Sequence, residues 1–300
     1  MNPFKFEMKS LRIPIPEEFD FELTLAFLQR SPRELLHKVI DNRIEKALLV
    51  DDIVIVFSVR LDKTDLLVQF LNANVTVAQA TEVVKYIREW LDLDTDLKPF
   101  YAMCENDKLM KALVKNYHGY RIVGQPDLFE SIVWAVLGQQ INLQFAYTLK
   151  QRFVEHFGEA VNLPNDTYYL FPRPESIAIL TIDQLLPLQF SRQKANYTIN
   201  IANAFVDKIV SKDMLIGMPL PVAKELLMKI KGIGNWTANY ALMKTFRHAD
   251  AFPLEDAGLH NAIKNLKKLK RKPTLEEVRR LFRKYKGWEA YVTLYLWKSL

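Results

Sequence analysis

Met228-Lys229-Ile230-Lys231-Gly232-Ile233-Gly234-Asn235-Trp236-Thr237-Ala238-Asn239-Tyr240 decides how this 300-residue chain is read. The stretch predicts a helix ending, a tight Gly-Ile-Gly turn and a second helix beginning. Both glycines can take positive φ, and neither carries a Cβ that would hold another backbone away. The amides around Gly234 and Asn235 are then donors without helical partners, aimed outward at an anion. A plain helix C-cap followed by an independent helix start fits the same residues. What lies around the stretch has to separate the two.

With 49% hydrophobic and 25% charged residues, the composition is that of an ordinary globular protein with material for a large core. The length suggests two domains. The single Cys104 excludes an intrachain disulfide framework and any four-cysteine zinc or iron–sulfur site. No apolar run reaches the roughly 18 residues of a membrane span, and Met1 to Ser10 lacks an apolar signal core. The expectation is a cytoplasmic protein, nuclear if its source has a nucleus, without membrane contact. The net charge of +6 is unevenly spread: residues 221–300 carry 17 Lys and Arg against 7 Asp and Glu. Such a basic region is either a polyanion-binding surface or a set of solvated helix faces.

Residues 1–93 read as a small α+β domain. Phe4 to Met8 alternates like a strand, and strands 46–50 and 53–57 flank an Asp51-Asp52 turn. Residues 66–71 form another strand; helices are expected over 21–30 and 77–91. From residue 94 the β signal fades, and 94–300 is expected to be all-helical, with 164–174 as loop. Expected helices are 106–117, one opened by Pro126-Asp127, one started by Asn142, 191–210, 256–270, 274–284 and 288–298. The helix–turn–helix around the glycines spans about 222–246.

Common catalytic signatures are absent: there is no His-Glu-x-x-His, no Cys-x-x-Cys and no phosphate-binding Gly-x-x-x-x-Gly-Lys-Ser/Thr. The five histidines are scattered. Asp256 stands out, at the mouth of a new helix behind the apolar loop Ala251-Phe252-Pro253-Leu254. A carboxylate there is an N-cap worth about 1 kcal/mol. It is equally a negative charge beside a water-poor pocket, fitted to stabilise a developing cation. The two roles can coexist, because a cap holds the charge still.

Leu226 to Tyr240, followed by Asp250-Ala251-Phe252-Pro253 and Asp256, resembles the helix–hairpin–helix, Gly/Pro-rich loop and aspartate of the DNA glycosylase superfamily. Leu137-Gly138-Gln139-Gln140-Ile141 and Tyr285-Lys286-Gly287-Trp288-Glu289-Ala290-Tyr291 are similar to further landmarks of that family. The branch resembled is DNA-3-methyladenine glycosylase II, the alkylation-repair type. Residues 1–93 resemble its N-terminal domain, related in shape to the TATA-binding protein.

The resemblance implies Asp256 as the catalytic carboxylate and Trp236, Tyr240, Trp288 and Phe27 as the base pocket. It implies DNA contacts from Lys229, Lys231, Gly232, Ile233, Gly234, Asn235 and Thr237, with Gln140 where some members carry a wedge leucine. It also implies a monovalent cation, Na+ or K+, on the backbone carbonyls of Met228, Ile230 and Ile233, and no other cofactor. The partner implied is double-stranded DNA containing alkylated bases, bound by a monomer. Strand-cleaving members carry a lysine where this chain has Trp236. With no amine nucleophile, water is the acceptor, which implies base hydrolysis that leaves an intact abasic site. The alternatives are oxidised or deaminated bases as substrates, or a non-catalytic DNA-binding relative.

Overall fold

The computed structural model describes residues 7–72 and 74–300. Residues 4–6 of the expected first strand lie outside the described residues. The strands are β1 (Glu7–Met8), β2 (Ser10–Pro14), β3 (Lys38–Ile40), β4 (Arg43–Val50), β5 (Ile53–Asp62), β6 (Asp65–Phe70), β7 (Val75–Thr76), β8 (Glu159–Leu163) and β9 (Asp166–Leu170). An antiparallel sheet runs β2-β6-β5-β4-β3. Asp51 and Asp52, at φ 49° and 60°, close the β4–β5 hairpin. Two positive φ values match the twist of the flanking strands. Val50 therefore pairs with Ile53, and the apolar alternation falls in register.

The helices of eight residues or more are α1 (Phe21–Leu28), α2 (Val77–Leu91), α3 (Leu128–Gly138), α4 (Leu143–Phe157), α5 (Arg192–Val206), α6 (Leu220–Met228), α7 (Asn235–Phe246), α8 (Ala257–Leu266), α9 (Leu275–Phe282) and α10 (Glu289–Lys298). One face of the sheet is covered by α1 and α2: Ile44, Ile55, Val59 and Val68 share a core with Leu25, Val83 and Ile87. Two large cores support the helical remainder. Ile132, Val136, Leu149 and Ile201 anchor one, and Phe100, Leu259, Ile263 and Tyr291 anchor the other. Helix α7 lies between them, giving Ala238, Ala241 and Leu242 to the first and Met243 to the second. A helix fixed from two sides is a rigid mount for what its N-terminus presents.

The expectation of an all-helical region after residue 94, with 164–174 as loop, is corrected by β8 and β9. They form an antiparallel hairpin through Pro164-Asn165. Tyr168 of β9 packs against Ala47 of β4 and Val56 of β5, and its hydroxyl donates to Glu45 at 2.6 Å. The hairpin thus covers the face of the sheet that α1 and α2 leave open. Several helices are shorter than expected. The 106–117 helix begins only at Lys111, because Asp107 Oδ1 first accepts from the amides of Leu109 and Met110 in a local turn. The helix capped by Ser191 ends at Val206, and α8 ends at Leu266, before Lys268 turns to φ 51°.

Candidate active site

The expected hairpin joins α6 to α7. Gly232 sits at φ 110°, and a Cβ there would lie 2.7 Å from the Tyr197 ring. Only glycine fits. Gly234 is extended at φ −90°, with open space where a Cβ would be. The expected positive φ therefore holds at Gly232 and not at Gly234. Gly234 is the N-cap of α7 and supplies no side-chain cap, so the first-turn amides have no capping side chain. Lys229 and Lys231 are exposed beside this end; Lys229 lies 3.5 Å from Glu225.

Ile233 is core, 4% exposed. Thr237 is 1% exposed, and its hydroxyl accepts from Gln139 Nε2 at 3.0 Å, so its side chain supports the hairpin from inside rather than meeting DNA. Asn235 turns its amide onto Glu255 at 2.8 and 3.0 Å. Gln140 is exposed at φ 58°, at the tip of the turn after α3. Among the described residues, no turn or cap hydrogen bond closes on the carbonyls of Met228 and Ile233, and that of Ile230 accepts one, from Ile233 at 3.1 Å. Oxygens left over in this way suit a hard monovalent cation.

Asp256 is the N-cap of α8 and half-buried. Oδ1 accepts from the Leu259 amide at 2.7 Å and from Trp297 Nε1 at 2.7 Å. Oδ2 accepts from Trp236 Nε1 at 3.0 Å. The N-cap reading of Asp256 holds, and two indole N–H groups reach the same carboxylate. Gly258 makes the arrangement possible: a Cβ there would come within 3.1 Å of Asp256 Oδ1 and 3.3 Å of the Trp297 ring. The loop before Asp256 is pinned twice to α7, through Asn235 to Glu255 and through Asn239 Oδ1, which accepts from the Phe252 amide at 3.0 Å. His260, one turn into α8, places its two ring nitrogens 2.8 Å from Leu254 O and 2.9 Å from Pro273 O.

Aromatic rings extend from the carboxylate. Trp236 stacks on Tyr240 with centroids 5.3 Å apart and planes at 26°. The Tyr240 hydroxyl accepts from Trp134 Nε1 at 3.0 Å, and Trp134 lies against Tyr147. Burial raises the Tyr240 pKa above its ordinary value, so the phenol stays neutral. Phe27 and Tyr240 line one cavity of about 40 Å³, along with Arg30, Tyr147 and Lys244. The Arg30 guanidinium lies 3.9 Å over the Phe27 ring and donates to the Tyr147 hydroxyl.

Trp288 is elsewhere. Its ring packs on Phe100 and Tyr291 at 5.6 and 5.5 Å. Trp297 reaches Asp256 instead and lies 6.4 Å from Tyr240. Sequence reasoning missed Trp297, Tyr147 and Arg30. For Trp297 a signal existed, since it lies in the last turn of the helix that Trp288 caps, nine residues on. At about 100° per residue that spacing is roughly two and a half turns, so the two indoles cannot face one way.

Residues 133–287 match the family model described as HhH-GPD superfamily base excision DNA repair protein. Residues 12–132 match that of the 8-oxoguanine DNA glycosylase N-terminal domain. The chain is 42% identical over 291 residues to a DNA-3-methyladenine glycosylase of Bacillus subtilis, covering 96% of each. A 3-methyladenine DNA-glycosylase structure from Archaeoglobus fulgidus superposes with a TM-score of 0.82 at 24% identity, over 96% of this chain and 97% of that one. A Schizosaccharomyces pombe 3-methyladenine DNA glycosylase bound to abasic DNA gives a TM-score of 0.58 at 25% identity, over 67% of this chain and 96% of that one.

Proposed function

The chain belongs to the HhH-GPD superfamily of base excision DNA repair proteins and is a DNA glycosylase; from that premise we propose that it hydrolyses alkylated purines out of duplex DNA, with Asp256 as the catalytic carboxylate. The observation that carries the assignment is the Asp256 carboxylate held between the indole of Trp236, two residues past Gly234 of the hairpin, and that of Trp297. The target base leaves the stack, at a cost of a few kcal/mol. The hairpin amides and Lys229 and Lys231 offset part of this by holding phosphate, which positions the enzyme without reading sequence. A monovalent cation on the carbonyls of Met228, Ile230 and Ile233 would add positive charge beside that phosphate.

An alkylated purine carries positive charge and stacks on electron-rich rings for roughly 0.5–2 kcal/mol each. Trp236 and Tyr240 offer such rings. As the C1′–N bond breaks, its electron pair neutralises the departing base, so no acid is needed to protonate it. Positive charge develops on the sugar, and Asp256 stabilises it. Water then forms the new C1′–O bond and releases its proton, leaving an abasic site. Trp236 stands where an amine would have to be for strand cleavage.

A panel of duplexes with single lesions tests the substrate class. 3-Methyladenine and 7-methylguanine should be released fastest, without strand scission. Equal or better release of 8-oxoguanine would overturn the reading.

A further inference from the structure

Helix α3 ends beside the turn that carries Gln140, and its last carbonyls converge on one side chain. Lys194, in the first turn of α5, places Nζ 2.9 Å from Val136 O, 2.9 Å from Leu137 O and 2.7 Å from Gln139 O. An ammonium has three protons, and each of these has its own acceptor. The negative end of the helix dipole favours a cation at this spot. Burial lowers the Lys194 pKa to about 8, so the charge persists at neutral pH.

Gln139 continues the connection. Its carbonyl is held by Lys194, while its side-chain amide donates to Thr237 Oγ1 at 3.0 Å and reaches Gly232 O at 3.4 Å. The same residue therefore ties the end of α3 to both sides of the Gly-Ile-Gly turn. The next residue is Gln140, exposed and left-handed.

We propose that Lys194 and Gln139 form a strut that fixes the Gln140 turn against the 232–237 hairpin, so that Lys194 is a positioning residue for opening the duplex. This rests on the reading of Gln140 as the residue that enters the stack. Base eversion needs the two elements to act together: one grips the backbone while the other occupies the vacated space. A turn free to swing against the grip would bind DNA and open it poorly. Lys194 touches neither DNA nor the reacting bond, so its effect should depend on how firmly the lesion is paired.

The test compares single-turnover excision of one alkylated base from a fully paired duplex and from a duplex where the lesion faces an abasic site. Lys194→Met should slow the first by about tenfold or more and the second by less than about threefold, with affinity for undamaged duplex little changed. Gln139→Leu, at a half-buried turn with Lys194 still in place, should show the same split and decides the matter if Lys194→Met does not fold. Equal slowing on both substrates, or wild-type rates on both for Gln139→Leu, would overturn the strut. Gln140→Ala tests the premise separately: wild-type excision from the paired duplex would remove the wedge reading, however the strut variants behave.

Discussion

The carboxylate of Asp256 and those of Glu34 and Glu130 are held in opposite ways. Glu34 and Glu130 lie at the seam between the sheet and the helices, 3.0 and 3.2 Å from the Lys150 ammonium, with all three side chains at most 10% exposed. Burial raises the Glu34 pKa, but Lys150, His37 and the Leu36 amide outweigh it and hold it at about 2. Lys150 is in turn raised above its ordinary value, its carboxylate partners overcoming burial. Asp256 receives three N–H donors, none of them charged. An ammonium cancels a negative charge; neutral donors orient it and leave it uncancelled for a cation that arrives later.

Removing the cation should have the largest effect. Lys150→Met leaves two buried carboxylates without their shared ammonium and should lower stability by about 3–5 kcal/mol in urea unfolding. Excision per folded molecule should hardly change; a matching loss of rate would show that the seam serves catalysis. Asp256→Asn should slow base release by roughly 10²–10³-fold, while an amide oxygen still caps Leu259 and DNA affinity is preserved. A near wild-type rate would mean that this charge is not the one that meets the sugar.

Trp297→Phe removes one donor to a charged acceptor, worth roughly 1.5–3 kcal/mol, and should slow single-turnover excision by about 10–100-fold. Trp288→Phe, half-buried against Phe100, should leave that rate nearly intact; equal effects would erase the distinction between the two indoles. The smallest effect is in pH. Burial lowers the His37 pKa from 6.5 to about 4, against the opposing pull of Glu34. As pH falls, the unfolded chain therefore binds this proton first. The His37 contribution is complete above 6.5 and drains away between 6.5 and 4. His37→Gln should flatten the melting-temperature profile in that window.

The parts legible in the sequence are those set by neighbours in the chain. Asp256 as a cap and Asp127 and Asn142 as helix starts depend on amides three residues away, and the Asp51-Asp52 turn on its own two backbone angles. The glycine turn was legible for the same reason, although only Gly232 uses its freedom. The illegible parts depend on distant partners. β9 is held by Tyr168 on Glu45, 123 residues away in sequence, while Pro164 and Pro174 locally suggest loop. Trp297 meets Asp256 only because α8 and α10 pack together, and the need for Gly258 arises only from the indole that lies against it.

The β8–β9 hairpin reaches from the helices onto the second face of the sheet, and Lys38 pairs with Asp166 across the join. Anyone dissecting this chain at residue 93 would strip Val56 and Tyr168 of each other and strand Lys150 apart from Glu34. The two fragments would be sticky halves rather than modules. Heat or denaturant should accordingly melt the intact chain in a single step, and a protease should find no intermediate to trim.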